Sequence, residues 1–385
     1  MSNESGIINK RRTARIISVA CGLLFSVFSV VYLSVLQKDV MEALHYSLAQ
    51  GKTVYASLTS AVVITLVLLL FRWGVNVLVG LKGVFKALSY FPVFLLLGIL
   101  TDVGYEVYSG EGISPQWMWL FPVLLLVYVL LGLVLRKLAC WIEGSDIKPE
   151  VSVCSNLFVL VMLCFLTVCM GNTNIHFHHE LQIEKALRKQ DFEAARRVGL
   201  KSMDPSRNLT ALRAYALSRE GTMGEYLFQY PQLYGAGGLL IGASDDKVLL
   251  LDADSLYVYL GERPGLGEPV LDFFRRISKE ETGNYTTLDY YLCALLLEKK
   301  LDEFVDEFER SYTGRDSIIP YYYRQALFLY DKMQGKTVSE GSDKVLEELW
   351  SEYMEMKMEL SGQKGEGNLM RRLYGNTYWW YYQYH

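Results

Sequence analysis

The residues with the most chemical potential here are a histidine cluster, two Gly-Lys-Thr triplets and several acidic groups. His176, His178 and His179 directly follow an apolar run. On a helix, His176 and His179 would share a face and, with Glu180, could ligate a metal. They also stand where an apolar segment gives way to polar sequence, and polar side chains belong there without any metal. Gly51-Lys52-Thr53 and Gly335-Lys336-Thr337 look like the end of a phosphate-binding loop. That loop needs a further Gly five residues earlier, where Tyr46 and Tyr330 stand instead, so neither triplet can cradle a nucleotide. Gly235, Gly237, Gly238 and Gly242 crowd together without Gly-x-Gly-x-x-Gly spacing, which predicts a tightly turning loop rather than a dinucleotide site.

The acidic candidates are equally limited. Asp245, Asp246, Asp252 and Asp254 lie near Lys247 but lack the spacing of a calcium loop, and such groups are normally solvated. Asp39, Glu42, Asp102, Glu106 and Glu111 flank apolar segments, where an enzyme of lipid-linked glycans would place its acids. Asp102 and Glu106 cluster at an outer edge that water can reach, which favours an interfacial loop over an ion site. With His45 and His385 the only other histidines, no Ser-His-Asp or Cys-His set can be argued. Cys21, Cys154, Cys164 and Cys169 lie in apolar runs, Cys140 just beyond one, and Cys293 is alone in the polar half. No CxxC pair suggests zinc or redox work. We therefore expect no catalytic set, no metal and no cofactor, and an enzyme is the less favoured class.

The unusual feature is tyrosine, of which there are 27. Tyr321, Tyr322 and Tyr323, and the tail Tyr378, Trp379, Trp380, Tyr381 and Tyr382, are too dense for an ordinary surface. An aromatic ring with a polar tip suits a capping helix, a binding groove or a membrane interface. Capping of a helical stack is the first expectation for the tail, and a groove for peptide or glycan the second.

The elements that must position these residues fall into two halves. Up to Gly171 the chain is dominated by Leu, Val, Phe and small residues; beyond it, charged residues and Tyr take over. Five segments meet the length rule of about twenty mostly apolar residues, at 16–36, 54–71, 88–103, 117–135 and 151–170. The third is interrupted by Pro92 and Gly98, which neighbouring helices can accommodate. The stretch Gly74 to Phe85 before it could lie along the interface. No charge falls at mid-span. Lys10, Arg11, Arg12 and Arg15 flank the first span; Arg72, Lys82 and Lys86 fall in the second connection, and Arg136, Lys137 and Lys148 in the fourth. The alternate loops carry only Lys38 and Lys52, or neither Lys nor Arg. Basic loops stay cytoplasmic, so 1–15 form a cytoplasmic tail, 16–170 the membrane domain, and 171–385 lie on the far side. A formal charge of -4 gives no reason to expect nucleic acid.

In the second half the helical period recurs: Phe192, Ala195 and Val198; Leu209, Leu212 and Ala216; Leu301, Phe304, Val305 and Phe308; Leu346, Leu349, Trp350 and Tyr353. Pro205 and Pro320 fall between windows, where a helix must stop. Short amphipathic helices of this kind need neighbours to cover their apolar faces, the logic of an α-solenoid. Two stretches resemble degenerate tetratricopeptide (TPR) units. In the first, Gln190 takes the usual Gly place, Asp191-Phe192 the Asp-Tyr place and Ala195 the small-residue place. In the second, Tyr290 to Leu297 is the first helix, Glu298-Lys299-Lys300 the turn, and Leu301 to Phe308 the second helix. Tyr230 to Gly267, rich in Gly, reads as an irregular insert or long connection.

The motifs Glu225-Tyr226-Leu227-Phe228-Gln229-Tyr230-Pro231-Gln232, Pro320 to Tyr330 and Tyr374-Gly375-Asn376-Thr377-Tyr378-Trp379-Trp380-Tyr381-Tyr382 resemble a family of bacterial multi-pass membrane proteins of unknown function with a TPR-like C-terminal region. That resemblance implies a bacterial envelope protein and brings no catalytic residue. Taken together, the expectation is an all-α protein: about five transmembrane helices, then a TPR-like solenoid. It would be anchored in the bacterial inner membrane, N-terminus cytoplasmic and C-terminal domain periplasmic. Its partners would be the lipid bilayer and a protein bound by the C-terminal domain. The alternative is an accessory or catalytic component of envelope glycan or lipid assembly or transport.

Overall fold

The computed structural model describes residues 2–110, 114–142, 149–241, 251, 254–279, 285–312, 319–335 and 343–385, with no side-chain description for 2–11, 139–142 and 285. Every regular element among the described residues is helical. The chain divides into two compact units, Met1–Leu181 and Gln182–His385, with the division inside one helix, Ile175–Arg188.

The first unit contains α1 (Ser2–Val31), α2 (Lys38–Ala49), α3 (Ser57–Val79), α4 (Phe91–Thr101), α5 (Trp117–Ile142) and α6 (Pro149–Met170). A π-helical turn, Tyr32–Leu36, continues α1, and a 3-10 segment, Gly83–Tyr90, leads into α4. Five stretches are long and apolar enough to cross a membrane: Arg12–Leu36, Ser57–Val79, Gly83–Thr101, Trp117–Leu138 and Pro149–Met170. Leu66, Leu70, Leu126, Leu130, Phe158 and Phe165 point away from the unit, as lipid-facing residues of a span would. The core runs through Phe25, which meets Tyr90 at 5.4 Å and Phe94 edge-on at 5.1 Å.

Two spans differ from the sequence expectation for identifiable reasons. The second was expected to end at residue 71, before Arg72, but α3 continues to Val79. Arg72 therefore lies inside the helix, and Gly74–Val79 is a continuation of it rather than an interfacial strip. The helix carries the charge because Nε donates to Ser89 Oγ at 3.3 Å and the guanidinium lies 4.3 Å from the centre of the Tyr90 ring. The charge lies within the helix, seven residues from its end rather than at its middle. The third span begins with the 3-10 segment at Gly83, earlier than residue 88, and Pro92 sits in the first turn of α4, where its missing N–H costs nothing.

Polar side chains tie these helices together. Asn156 of α6 accepts from Ala87 N at 2.6 Å and donates to Gly83 O at 2.9 Å, holding the 3-10 segment in place. Tyr32 Oη bonds Thr101 Oγ1 at 2.9 Å and Thr167 O at 3.3 Å. Gly171 is required beside them, because a Cβ there would collide with Tyr32 Oη.

The second unit continues with α7 (Ile175–Arg188), α8 (Phe192–Arg197), α9 (Arg207–Glu220), α10 (Met223–Tyr226), α11 (Ser255–Leu260) and α12 (Val270–Lys279). It ends with α13 (Tyr285–Leu297), α14 (Leu301–Tyr312), α15 (Tyr321–Met333), α16 (Lys344–Leu360), α17 (Glu366–Tyr374) and α18 (Tyr378–Tyr384). One turn is used three times, between α7 and α8, α9 and α10, and α13 and α14. A left-handed residue two places before the next helix closes each: Gln190 (φ 58°), Gly221 (φ 68°) and Lys299 (φ 57°). The hydrogen bonds match as well. Gln190 N reaches Leu187 O and Asp191 N reaches Ala186 O; Gly221 N reaches Ser218 O and Thr222 N reaches Leu217 O; Lys299 N reaches Leu296 O and Lys300 N reaches Leu295 O. This double closure satisfies carbonyls that a helix end leaves free.

The Tyr230 to Gly267 stretch is built of short pieces. A 3-10 turn, Gly235–Leu239, and α11 lie within it. Glu298 at the α13 end accepts from Ala236 N at 3.0 Å, which fixes the glycine-rich turn. Gly242, Asp245, Asp246, Lys247 and Asp252 lie outside the described residues.

Candidate functional site

The aromatic residues singled out from the sequence converge in the second unit. Thr377 caps α18, its Oγ1 accepting from Trp380 N at 3.2 Å, and this aims Tyr378, Trp379 and Tyr381 inward. All three are buried. Tyr378 Oη donates to Leu296 O at 3.1 Å and Tyr381 Oη to Leu297 O at 2.8 Å, so two tail hydroxyls sit on the last carbonyls of α13. Gln325 of α15 takes Tyr378 N at 2.8 Å and Trp379 Nε1 at 3.1 Å on its side-chain and main-chain oxygens. Phe228 lies at the centre, edge-on to Tyr322, Tyr378 and Tyr381 at 5.1 to 5.3 Å.

The Tyr321–Tyr323 triplet spreads over three environments. Tyr323 is fully enclosed, donating to Asp289 Oδ1 at 3.0 Å beside Cys293 Sγ at 3.5 Å. Tyr322 is buried and donates to Asn376 O at 2.9 Å, while Tyr321 is half-buried against Arg324. Burial pushes the phenols of Tyr290, Tyr322, Tyr323, Tyr378 and Tyr381 well above their ordinary range, and the Cys293 thiol likewise. Five of the eight candidate aromatics are thus consumed in packing. Tyr321, Trp380 and Tyr382 keep partly open faces.

Tyr382 borders a cleft of about 370 Å³ with Lys299, Lys300, Glu303, Tyr330 and Gln334. Lys300 is neutralised by Glu303, Nζ to Oε1 3.0 Å, and Arg275 reaches the other oxygen of Glu303 at 2.6 Å. Hydrogen bonds from these cations hold the Glu303 carboxyl below its usual range. Lys299 differs: its ammonium donates to the main-chain oxygen of His385 at 2.7 Å and lies 5.9 Å from the Tyr382 ring. The cleft therefore offers a cation beside an aromatic ring, a pair that can take an acidic or aromatic group.

The chain matches the model of a family of unknown function, DUF6057, over residues 7–262 and 269–385. It belongs to that family. No curated protein and no solved structure matches the chain.

The other sequence candidates are dispersed. Among the described residues no group of three His, Cys, Asp or Glu side chains could hold a metal ion. His178 Nε2 lies 3.2 Å from Asn172 O. Asp102 accepts from Trp117 Nε1 at 2.7 Å, an interfacial clasp between two span ends. Glu111 lies outside the described residues, as do Lys336 and Thr337 of the second triplet. Sequence reasoning passed over Arg213, which is 2 % exposed, donates to Val198 O at 2.6 Å and lies 4.2 Å from the Tyr230 ring. Burial pushes its guanidinium down to about 10. Its place in the Leu209, Leu212 and Ala216 window was the available signal.

Proposed function

We propose that this protein is a membrane-anchored helical-repeat scaffold of the bacterial envelope that holds a protein partner through its C-terminal unit. The observation that carries the reading is the cleft, where Lys299 stands in a left-handed turn beside the Tyr382 ring, with Tyr330 in the same lining. The same turn closes three helix pairs, which supports a repeat architecture of the TPR-like kind, and such architectures bind through extended surfaces. The bilayer is the second partner, through the five apolar spans. The N-terminus is cytoplasmic and the C-terminal unit periplasmic, on the distribution of Lys and Arg between loops.

Cross-linking in intact cells, then affinity purification in mild detergent, should recover an envelope protein attached through residues 171–385. Lys299→Glu should lose it while Lys299→Gly, which keeps the turn, should retain part. Recovery of the bait alone would remove the main support. Reporter fusions after Lys86 and Lys148 should read as cytoplasmic, and those after Lys52, Gly110 and Glu220 as periplasmic. A cytoplasmic reading at Glu220 would overturn the orientation.

A further inference from the structure

We propose that Arg72 and Lys86 form a binding site for the phosphate headgroup of an anionic phospholipid, an inference that rests on the first unit lying in a membrane. Arg72 stands seven positions before the end of α3 at Val79, roughly 10 Å inward along the helix axis. Its Nε is bonded to Ser89 Oγ and its Cζ lies 4.3 Å from the centre of the Tyr90 ring, but Nη2 is enclosed without a hydrogen-bond partner. Ser89 Oγ in turn donates to Lys86 O at 2.8 Å, so Lys86 belongs to the same turn. The Lys86 ammonium donates to Ala14 O at 3.0 Å, and the charges of Lys86 and Arg72 act on each other.

Among the described residues neither cation pairs with a carboxylate; the partners of both are a hydroxyl, a ring and main-chain oxygen. Two like charges in a membrane unit, with no internal counter-charge, carry a desolvation cost that an external anion would relieve. Both side chains are half-buried, which leaves part of each open to the surface of the unit. Near the end of a span the anion at hand is a lipid phosphate, which a snorkelling basic side chain can reach. A guanidinium and an ammonium both donate to phosphate oxygens, and basic pockets between spans take anionic headgroups. Ser89 and the Tyr90 ring hold the guanidinium in place in advance. Arg12 and Arg15 at the start of the first span and Lys82 add positive charge at the same end of the sequence segments involved.

The test uses the full chain, reconstituted separately in phosphatidylcholine and in mixed phosphatidylcholine–phosphatidylglycerol nanodiscs. Native mass spectrometry after gentle detergent transfer then reads the retained lipid. Wild type should retain phosphatidylglycerol and not phosphatidylcholine. Arg72→Gln with Lys86→Gln should retain it about thirtyfold more weakly, from about 1 kcal/mol per basic residue, while exposed Lys137→Gln should match wild type. If the double variant does not fold by circular dichroism, Lys86→Gln alone should show a loss of about fivefold. Equal retention by the folded variants, or equal retention of both lipids by wild type, would overturn the site. Displacement by inorganic phosphate alone would overturn the lipid assignment in favour of a free anion. Failure of wild type to stay with membranes on alkaline carbonate extraction would refute the membrane reading itself, a result distinct from loss of lipid selectivity.

Discussion

Replacing Trp379 by Ala should be among the most damaging single changes in the second unit. The side chain is fully buried, with Trp350 edge-on at 5.1 Å, Phe328 at 5.8 Å and Tyr353 at 6.1 Å. Its Nε1 also satisfies Gln325 O at 3.1 Å. An aromatic of this size buries about 150–250 Å², worth on the order of 4–6 kcal/mol at about 25 cal/mol per Å². Measured truncations of buried Phe and Trp cost about 3–5 kcal/mol. In a unit of this length each kcal/mol lowers the melting temperature by roughly 2–4 °C, so Trp379→Ala should lose about 6–20 °C. Tyr382→Ala, half-buried at the cleft edge, should lose less than about 1 kcal/mol. The assay is thermal unfolding of the detergent-solubilised full chain, followed by near-ultraviolet circular dichroism, with protease susceptibility in parallel. A shift below about 2 °C for Trp379→Ala, or equal losses for both variants, would refute the docked tail.

Further outcomes follow from the turns, the phenols and the first unit. Gln190→Gly and Lys299→Gly should each stabilise the fold by about 1 kcal/mol, because a side chain at positive φ is strained. Gly221→Ala, with nothing within 4 Å of the added Cβ, should destabilise by a similar amount through the backbone alone; identical signs for the three in chemical denaturation would contradict the shared turn. Tyr290, Tyr323 and Tyr378 stay protonated in the folded unit well past 10.0, the ordinary value at which an unfolded chain ionises them. Their stabilisation is complete below that pH and is lost as pH rises above it. The exposed tyrosines should ionise first with helices intact, and the buried ones should add a second tyrosinate step that coincides with loss of helix; full ionisation of all 27 tyrosines with helices intact would count against the buried cluster. Asn156→Leu should strand Ala87 N and cost about 1–3 kcal/mol, seen as earlier loss of helix in a sodium dodecyl sulfate titration; resistance equal to wild type would remove Asn156 as a tie.

The spans were legible because crossing a bilayer demands about twenty apolar residues in a row, a signal that needs no knowledge of neighbours. Their ends were less so. Arg72 reads as a terminus in one dimension, and only the Tyr90 ring and Ser89, more than fifteen residues away, let the helix run on. The turns at Gln190 and Lys299 were placed correctly as breaks between apolar windows, but their left-handed backbone is invisible in residues other than Gly. The density of Tyr and Trp near the tail marked residues that the fold packs against Phe228 and Gln325. What it could not supply was their division into buried and open members. That division depends on Phe228, an unremarkable residue in sequence, and on Gln325, whose amide oxygen and carbonyl receive the tail.

The docking of α18 has a consequence for the order of events when the chain folds. The hydroxyls of Tyr378 and Tyr381 reach carbonyls 82 and 84 residues earlier in the chain. Closing such a loop costs little more entropy than closing one half as long, but long-range contacts of this kind slow the search. Until they form, Leu297 O and the ring of Phe228 lack the tail partners that enclose them, while Leu296 O keeps Lys299 N. The helix pairs can assemble from local contacts beforehand, leaving a nearly complete unit with one sticky seam. During that interval the seam is the surface on which a chaperone or a neighbouring nascent chain competes, so the rate at which α18 arrives sets how long the immature protein is vulnerable.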